Sequence, residues 1–348
     1  MPKKIRVAIN GFGRIGRITF RAILEHHAKT IEVVAINDLA PVETNAHLLR
    51  HDSTYRGFGH GVTTLTEGVK VRGKMLPAIV VEGQRKPIAI VQERDPAKLP
   101  WRSLHVDVVI ESTGLFTDAE KAATHLKAGA KKVIISAPAK GDVQMIVLGV
   151  NDDQLDMTKD IFSNASCTTN CLAPLAKAID DLWGIDHGFM TTVHSYTNDQ
   201  RIQDQVHSDM RRARAGAVNI IPTTTGAAKA IGAVMPHLKG KLDGISLRVP
   251  TATVSVVDLV VETKTDLPDL DGVKAALKGK ADGTYFAYSD EDPVSTDFVG
   301  DPRSSVLDVD FTMVMGPRTL KVLSWYDNEW GYSNRLAELT ALIGSKLV

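Results

Sequence analysis

The first 38 residues restrict the folds open to this chain more than any other stretch. Ile5-Arg6-Val7-Ala8-Ile9-Asn10 has the apolar content of a short strand, and Gly11-Phe12-Gly13-Arg14-Ile15-Gly16 follows it without a spacer. Apolar residues then recur at helical spacing over residues 15 to about 28. A second strand-like run, residues 31–36, ends at Asn37-Asp38. Strand, glycine turn, helix, strand, acid is the order that lets a G-x-G-x-x-G pattern mean dinucleotide binding. Gly11 permits the tight turn, Gly13 lets backbone approach a pyrophosphate, and Gly16 lets helix and strand pack closely. The helix N-terminus supplies N–H donors for phosphates, and Asp38 stands where a carboxylate hydrogen-bonds an adenosine ribose. Taken singly, the glycines are ordinary turn chemistry and Asp38 is a solvated strand end. Their order is what points to a cofactor.

The alternation continues. A helix is expected over 42–49, and small antiparallel strands around Val69-Lys70-Val71-Arg72 and Ile88-Ala89-Ile90-Val91. Residues 106–110 read as a buried strand ending in Glu111-Ser112-Thr113-Gly114, residues 118–128 as a helix, 132–136 and 145–150 as further strands. Open parallel sheets bind ligands beyond the carboxyl ends of their strands, so Ser112, Thr113, Gly114 and Ser136 are expected to face the dinucleotide cleft. The expected fold is α/β: a Rossmann-type doubly wound parallel sheet over residues 1–166.

A second landmark is Ser163-Asn164-Ala165-Ser166-Cys167-Thr168-Thr169-Asn170-Cys171, which runs into a helical pattern over residues 172–183. Ser163, Asn164 and Ser166 are capping types, which puts Cys167 at or beside a helix N-terminus. Unpaired N–H groups and the positive dipole end favour a thiolate there. A free cysteine is more often a small buried hydrophobe, and that reading suits Cys171, inside the helix. Cys167, ringed by hydroxyl and amide side chains, reads as a nucleophile. Beyond it, residues 188–197 form a strand carrying His194, and residues 198–221 a charged irregular stretch. Thr223-Thr224-Thr225-Gly226 leads into a helix whose N-terminus can take an anion. Strands of antiparallel kind at 245–250, 254–262, 306–310 and 320–326 complete an α+β catalytic domain over 167–331, before a final helix at about 332–348.

Forty-one basic residues balance forty-one acidic ones, so nothing suggests a dedicated nucleic-acid partner or an anionic membrane. No apolar run approaches the ~20 residues that span a bilayer. Two cysteines spaced C-x3-C make neither a disulfide framework nor a usual zinc site; no metal is expected, and a cytoplasmic location suits free thiols.

The nine residues from Ser163 to Cys171, with Gly11 to Arg17 and the run Trp325-Tyr326-Asp327-Asn328-Glu329-Trp330-Gly331-Tyr332, closely resemble the phosphorylating glyceraldehyde-3-phosphate dehydrogenase family, from about Lys4 to the C-terminus. The resemblance implies oxidation of glyceraldehyde 3-phosphate with NAD and inorganic phosphate, in glycolysis or gluconeogenesis, by a homotetramer. It implies Cys167 as nucleophile and His194 as its base, a choice among 11 histidines that the residues alone do not make. It implies NAD contacts from Arg94 at the adenine end, and from Asn328 and Tyr332 around the nicotinamide. Thr197 and Arg248 correspond to one anion site, Ser166, Thr168, Thr225 and Gly226 to the other, and Arg212 to a further phosphate contact. The last helix is expected to return to the first domain. Gln205-Val206 departs from the Leu-Pro of many NAD-specific relatives, while Asp38-Leu39 matches them. An erythrose-4-phosphate-oxidising paralogue is the alternative reading.

Overall fold

The computed structural model describes residues 3–347; Met1, Pro2 and Val348, which fall within the expected domain ranges, lie outside the described residues. The chain forms two compact units: residues 3–146, 154–165 and 333–347, and residues 147–153 and 166–332.

The first unit contains β1 (Ile5–Asn10), α1 (Arg14–His26), β2 (Ile31–Asn37), α2 (Val42–Arg50), β3 (Val62–Val71), β4 (Lys74–Val81), β5 (Ile88–Val91), β6 (Val108–Glu111), α3 (Ala119–Lys127), β7 (Lys132–Ile135), β8 (Gln144–Met145) and β9 (Ile161–Ser163). They make one nine-stranded sheet in the order β3-β4-β5-β2-β1-β6-β7-β9-β8. From β5 to β8 every neighbouring pair is parallel, whereas β3-β4 and β4-β5 are antiparallel. Ile88 to Val91, expected as part of a small antiparallel insert, is therefore the seam: antiparallel to β4 and parallel to β2. Strands β2, β5, β6 and β7 are buried at every residue. Parallel strands covered on both faces need such continuous apolar runs. After β2 the chain adds strands on one side of β1, then crosses to put β6 on the other, making the switch point at which α/β sheets bind ligands.

One expected strand is shorter than its pattern. Only Gln144 and Met145 pair with β9, and residues 146–150 do not continue the strand. The Asn151 side chain accepts from the Val147 N–H (2.8 Å) and Gly149 takes φ +80°, so a turn captures the apolar run.

The second unit contains α4 (Cys167–Trp183), β10 (Ile185–Ser195), β11 (Ile221–Thr224), α5 (Ala227–Val234), β12 (Leu242–Val249), β13 (Ser255–Thr263), α6 (Leu270–Gly279), β14 (Ala287–Ser289), β15 (Val306–Met315) and β16 (Thr319–Tyr326). Its seven-stranded sheet runs β11-β12-β10-β13-β16-β15-β14 and is mostly antiparallel, with parallel pairs at β10-β12 and β14-β15. Burial alternates along β13 and β16, as in a sheet covered on one face. Helices α4, α5 and α6 supply that cover. On the other face Phe189 and its cross-strand neighbour Val260 are exposed, as is Met313, with Lys321 of β16 between Val260 and Met313.

The last helix, α7 (Trp330–Ser345), starts in the second unit and belongs to the first from Ser333 onward. A Cβ at Gly344 would stand 2.5 Å from Ile5 Cγ2, so the glycine lets this helix lie against the start of β1.

Candidate active site

The turn into α4 is held by its own serines. Ser163 Oγ donates to the Ala137 carbonyl (2.6 Å) and accepts from the Ala165 N–H (3.0 Å). Ala165 takes φ +56°, uncommon for a residue with a Cβ. Ser166 is the N-cap: its Oγ accepts from the Thr169 N–H (3.0 Å), and its carbonyl accepts from Asn170 Nδ2 (2.9 Å). Cys167 is thus the first residue of a 17-residue helix, where the sequence reading put it.

Its partner comes from the sheet. Parallel pairing of β10 with β12 sets His194 directly beside Arg248. His194 Nε2 lies 3.4 Å from Cys167 Sγ, and Nδ1 lies 2.7 Å from the Ser195 carbonyl. Arg248 Nη1 is 2.8 Å from that same Nδ1 and donates to the Ser195 carbonyl at 3.1 Å. The Tyr326 ring stands edge-on to His194 at 6.0 Å, and its hydroxyl joins those of Thr168 and Thr192, each at 2.9 Å.

Burial dominates the electrostatics. It pushes the Cys167 thiol up, opposed by the Arg248 charge and by Thr168. The His194 imidazole is pulled down to about 3, by burial first and by the neighbouring Arg248 charge second, with the Ser195 carbonyl opposing. The helix N-terminus was expected to favour a thiolate. Burial instead favours a neutral thiol against a neutral imidazole, because desolvating each charge costs more than the nearby donors return. Cys167 stays partly open to solvent, whereas Cys171 is fully buried, its Sγ 3.6 Å from Ser305 Oγ, with its pKa pushed up to about 12 by burial.

The remaining anion candidates are arranged as follows. Thr197 offers its N–H (2.8 Å) and hydroxyl to Gln200 Oε1. Arg212 is engaged by Asp199 (2.5 Å) and by Thr223 Oγ1 (2.8 Å). Arg248 Nε is buried without a hydrogen-bond partner among the described residues. Thr168 turns its hydroxyl inward to Tyr326, which leaves its backbone rather than its side chain for a ligand. Thr225 Oγ1 accepts from the Ala227 N–H (3.2 Å), and Gly226 caps α5 with open space where a Cβ would stand.

In the first unit the glycine loop fits a dinucleotide. Gly11 takes φ +90°, and a Cβ at Gly16 would meet the Gly11 carbonyl oxygen at 2.2 Å. Gly13 caps α1 with no side-chain bond, no acid in the first turn and nothing within 4 Å of where a Cβ would stand, so its N–H end is open to a phosphate. Arg14 is tied to Asp52 (3.1 Å), and Phe12 gives its N–H to Asp38 Oδ2 (2.9 Å). Asp38 Oδ1 takes the Ala40 N–H (2.9 Å), which holds that carboxylate at the end of β2. Ser112 Oγ donates to the Gly11 carbonyl (2.6 Å), Gly114 takes φ +76°, and the Ser136 N–H binds the Glu111 carbonyl. Ile15 lies in the first turn of α1, and Arg94 is exposed after β5.

In the second unit Asn328 Oδ1 accepts from Ser195 Oγ (3.0 Å) and Ser255 Oγ (3.1 Å), which turns its amide nitrogen away from both serines. Tyr332 is buried. Tyr326, Ser195, Ser255 and Asp327 are the residues that sequence reasoning missed. Asp327 Oδ1 accepts from the N–H groups of Glu329 and Trp330 (3.0 Å each), a capping pattern that an aspartate just before a helix signals. The other three carry no local signal.

Comparison with known proteins gives one answer for both units. Residues 5–119 match the family model described as the glyceraldehyde 3-phosphate dehydrogenase NAD binding domain, and residues 166–328 match the C-terminal domain of the same enzyme. A Streptomyces avermitilis protein named glyceraldehyde-3-phosphate dehydrogenase 2 is 53% identical over 347 residues, covering 99% of both chains. The Mycobacterium tuberculosis protein named glyceraldehyde-3-phosphate dehydrogenase is 54% identical over 349 residues, again covering 99% of both.

Proposed function

The chain belongs to the glyceraldehyde-3-phosphate dehydrogenase family, and from that premise we propose how its residues carry the reaction. It is an NAD-dependent dehydrogenase that converts glyceraldehyde 3-phosphate, inorganic phosphate and NAD to 1,3-bisphosphoglycerate and NADH. The erythrose 4-phosphate alternative is not favoured, since the relatives at 53–54% identity bear the glyceraldehyde name.

Cys167 is the nucleophile and His194 the base, and the observation that carries this is the 3.4 Å approach of Sγ to Nε2 at the first turn of α4. Two groups compete for His194 Nδ1: the Ser195 carbonyl asks it to donate and Arg248 Nη1 asks it to accept. With the Arg248 N–H given to the Ser195 carbonyl instead, the Nδ1 proton also goes to that carbonyl and neutral His194 presents a lone pair at Nε2. Nε2 takes the thiol proton as Sγ adds to the aldehyde carbon, and then returns that proton to the aldehyde oxygen, which gives a thiohemiacetal and a neutral imidazole. The Cys167 backbone N–H supports the oxygen as charge develops. Bound NAD supplies the hydride acceptor; the glycine loop Gly11 to Gly16 with Asp38, Arg94, Ser112, Thr113, Gly114 and Ser136, and Asn328 with Tyr332, would hold it. As the carbonyl re-forms, His194 Nε2 takes the hydroxyl proton, leaving a Cys167 thioester. A phosphate oxygen then attacks the thioester carbon and Cys167 leaves.

Two anion sites serve the two phosphates. Thr197 and Arg248 form one, supported by the unpartnered Arg248 Nε. Ser166, Thr168, Thr225 and Gly226 form the other, supported by the open N-terminus of α5. Arg212 joins by releasing Asp199. The exposed apolar face bearing Phe189, Val260 and Met313 supports assembly with further copies of this chain, to a homotetramer. No helix among the described residues is long and apolar enough to cross a membrane, and we place the enzyme in the cytoplasm on its two free thiols. NADH formation from glyceraldehyde 3-phosphate, with and without inorganic phosphate, tests the reading. Full turnover without phosphate would contradict it.

A further inference from the structure

The mechanism leaves one buried titratable cluster unused, in the core of the first unit. Trp101 and His125 are 0% exposed, Glu111 and Asn10 1%. Trp101 Nε1 lies 3.1 Å from His125 Nδ1. An indole nitrogen can only donate, so His125 Nδ1 must accept and the ring proton sits on Nε2. That Nε2–H points at Glu111 Oε2, 2.9 Å away. The Trp101 bond thus fixes the His125 ring with Nε2 as the donor to Glu111.

Glu111 collects four donors. Oε2 accepts from His125 and from Asn10 Nδ2 (2.5 Å); Oε1 accepts from the Thr113 N–H (2.9 Å) and from the Thr113 hydroxyl. Among the described residues no lysine or arginine pairs with it. An ionised carboxylate is expensive to bury, and a full set of donors is what makes it tolerable. The chain of bonds goes further. Asn10 Oδ1 accepts from Asn37 Nδ2 (2.7 Å), which also donates to the Glu93 carbonyl (2.9 Å), and Asn37 Oδ1 accepts from the Glu93 N–H (2.9 Å).

The members sit at particular places. Asn10 ends β1, Asn37 ends β2, Glu93 follows β5 and Glu111 ends β6, and these four strands are consecutive in the sheet. The next residue after each is Gly11, Asp38, Arg94 and Ser112, which are the first residues of the cofactor loops proposed above. An apolar core could pack the strands, but it could not set the spacing of four backbone loops through directional bonds. We propose that Glu111, oriented by the Trp101–His125 pair, is a positioning residue that sets the spacing of the four loops and thereby the affinity for the dinucleotide. This rests on the reading that NAD binds at these strand ends.

The test uses the full-length chain and reads NAD binding by calorimetry, with iodoacetamide labelling of Cys167 as the control in the second unit. Glu111→Gln keeps the shape but turns one oxygen into a donor, so two of the four donors lose their acceptor. Removing an acceptor from a buried donor costs enough for NAD to bind at least about tenfold more weakly. His125→Leu should weaken binding by a similar factor. His125→Gln, whose amide donates to Glu111 and accepts from Trp101, should stay within about threefold of the wild type, less than one such lost bond. Cys167 labelling should be unchanged in all three. If Glu111→Gln does not fold, the two His125 variants decide alone. Folded variants that bind NAD like the wild type overturn the proposal, as does a loss of affinity matched by an equal loss of Cys167 labelling. A wild-type protein that does not bind NAD would instead sink the cofactor reading itself.

Discussion

Alkylation of the two cysteines discriminates sharply between the roles assigned to them. Cys171 is sealed in the second unit, its thiol against Ser305 Oγ (3.6 Å) and the Ser324 carbonyl (3.7 Å), and burial raises its pKa to about 12. At pH 8 about one molecule in 10⁴ would carry that thiolate, against roughly a quarter for an ordinary thiol near 8.5. Ionisation alone therefore slows Cys171 by a factor on the order of 10³, before access is considered. Cys167 is also pushed up by burial, but the Arg248 charge and the Thr168 hydrogen bonds pull the other way and part of the residue is open. Iodoacetamide at pH 8, followed by peptide mapping, should label Cys167 essentially alone and remove activity in proportion. Cys171→Ser places a hydroxyl beside two acceptors, so it should keep most of the activity and cost no more than about 1 kcal/mol, the scale of one hydrogen bond. Cys167→Ala should abolish oxidation while NAD binding survives. Label on Cys171 with Cys167 untouched, or a folded but inactive Cys171→Ser, would refute both the burial argument and the nucleophile assignment.

Other perturbations have defined outcomes. His194→Asn should slow acylation by about 10² to 10⁴, the usual contribution of a positioned base, read as the pre-steady-state burst of NADH; a loss under about threefold would remove His194 from the chemistry. Asp52 is held below the ordinary carboxylate range: burial alone would raise it, but the Tyr55 and Thr54 N–H groups and Arg14 outweigh that. A depressed folded pKa gives stability that is present above about 3.9 and lost as pH falls through the folded value. Asp52→Asn should therefore destabilise at pH 7, by about 1–3 kcal/mol for charge-assisted bonds lost, and match the wild type once both are acid-titrated; a pH-independent difference in denaturant midpoint would refute this. Asp38 is locked by two N–H groups at the end of β2, and a 2′-phosphate about 4 Å away would meet roughly 1–4 kcal/mol of repulsion. NAD should be preferred over NADP by at least about tenfold in kcat/KM, narrowing in Asp38→Ala; equal values in the wild type would move the choice to Gln205-Val206. Ser166→Ala removes the N-cap of α4 and should cost about 0.5–2 kcal/mol, seen as a lower melting temperature; no change there would refute the contribution of the Ser166–Thr169 cap bond.

Much of the first unit was legible because its signals are local. The apolar run over residues 106–110 announces a strand buried on both faces, and the spacing of Gly11, Gly13 and Gly16 announces a turn feeding a helix. Ser166 announced the start of α4, and with it the place of Cys167. Local pattern misled at residues 146–150, where a side chain four residues on competes for the backbone. Residue patterning did not single out His194 among 11 histidines, since Cys167 and Arg248 lie 27 and 54 residues away and meet it only through helix placement and the β10-β12 register. The tertiary structure also set the sign of the Cys167 and His194 shifts. A helix N-terminus can be read from capping residues, but the depth of burial that outweighs it depends on everything packed around the pair. Glu111 looks in sequence like the polar end of a strand. Only the fold brings Trp101, His125, Asn10 and Thr113 onto it, because hydrogen bonds between residues up to 101 positions apart leave no trace in local periodicity.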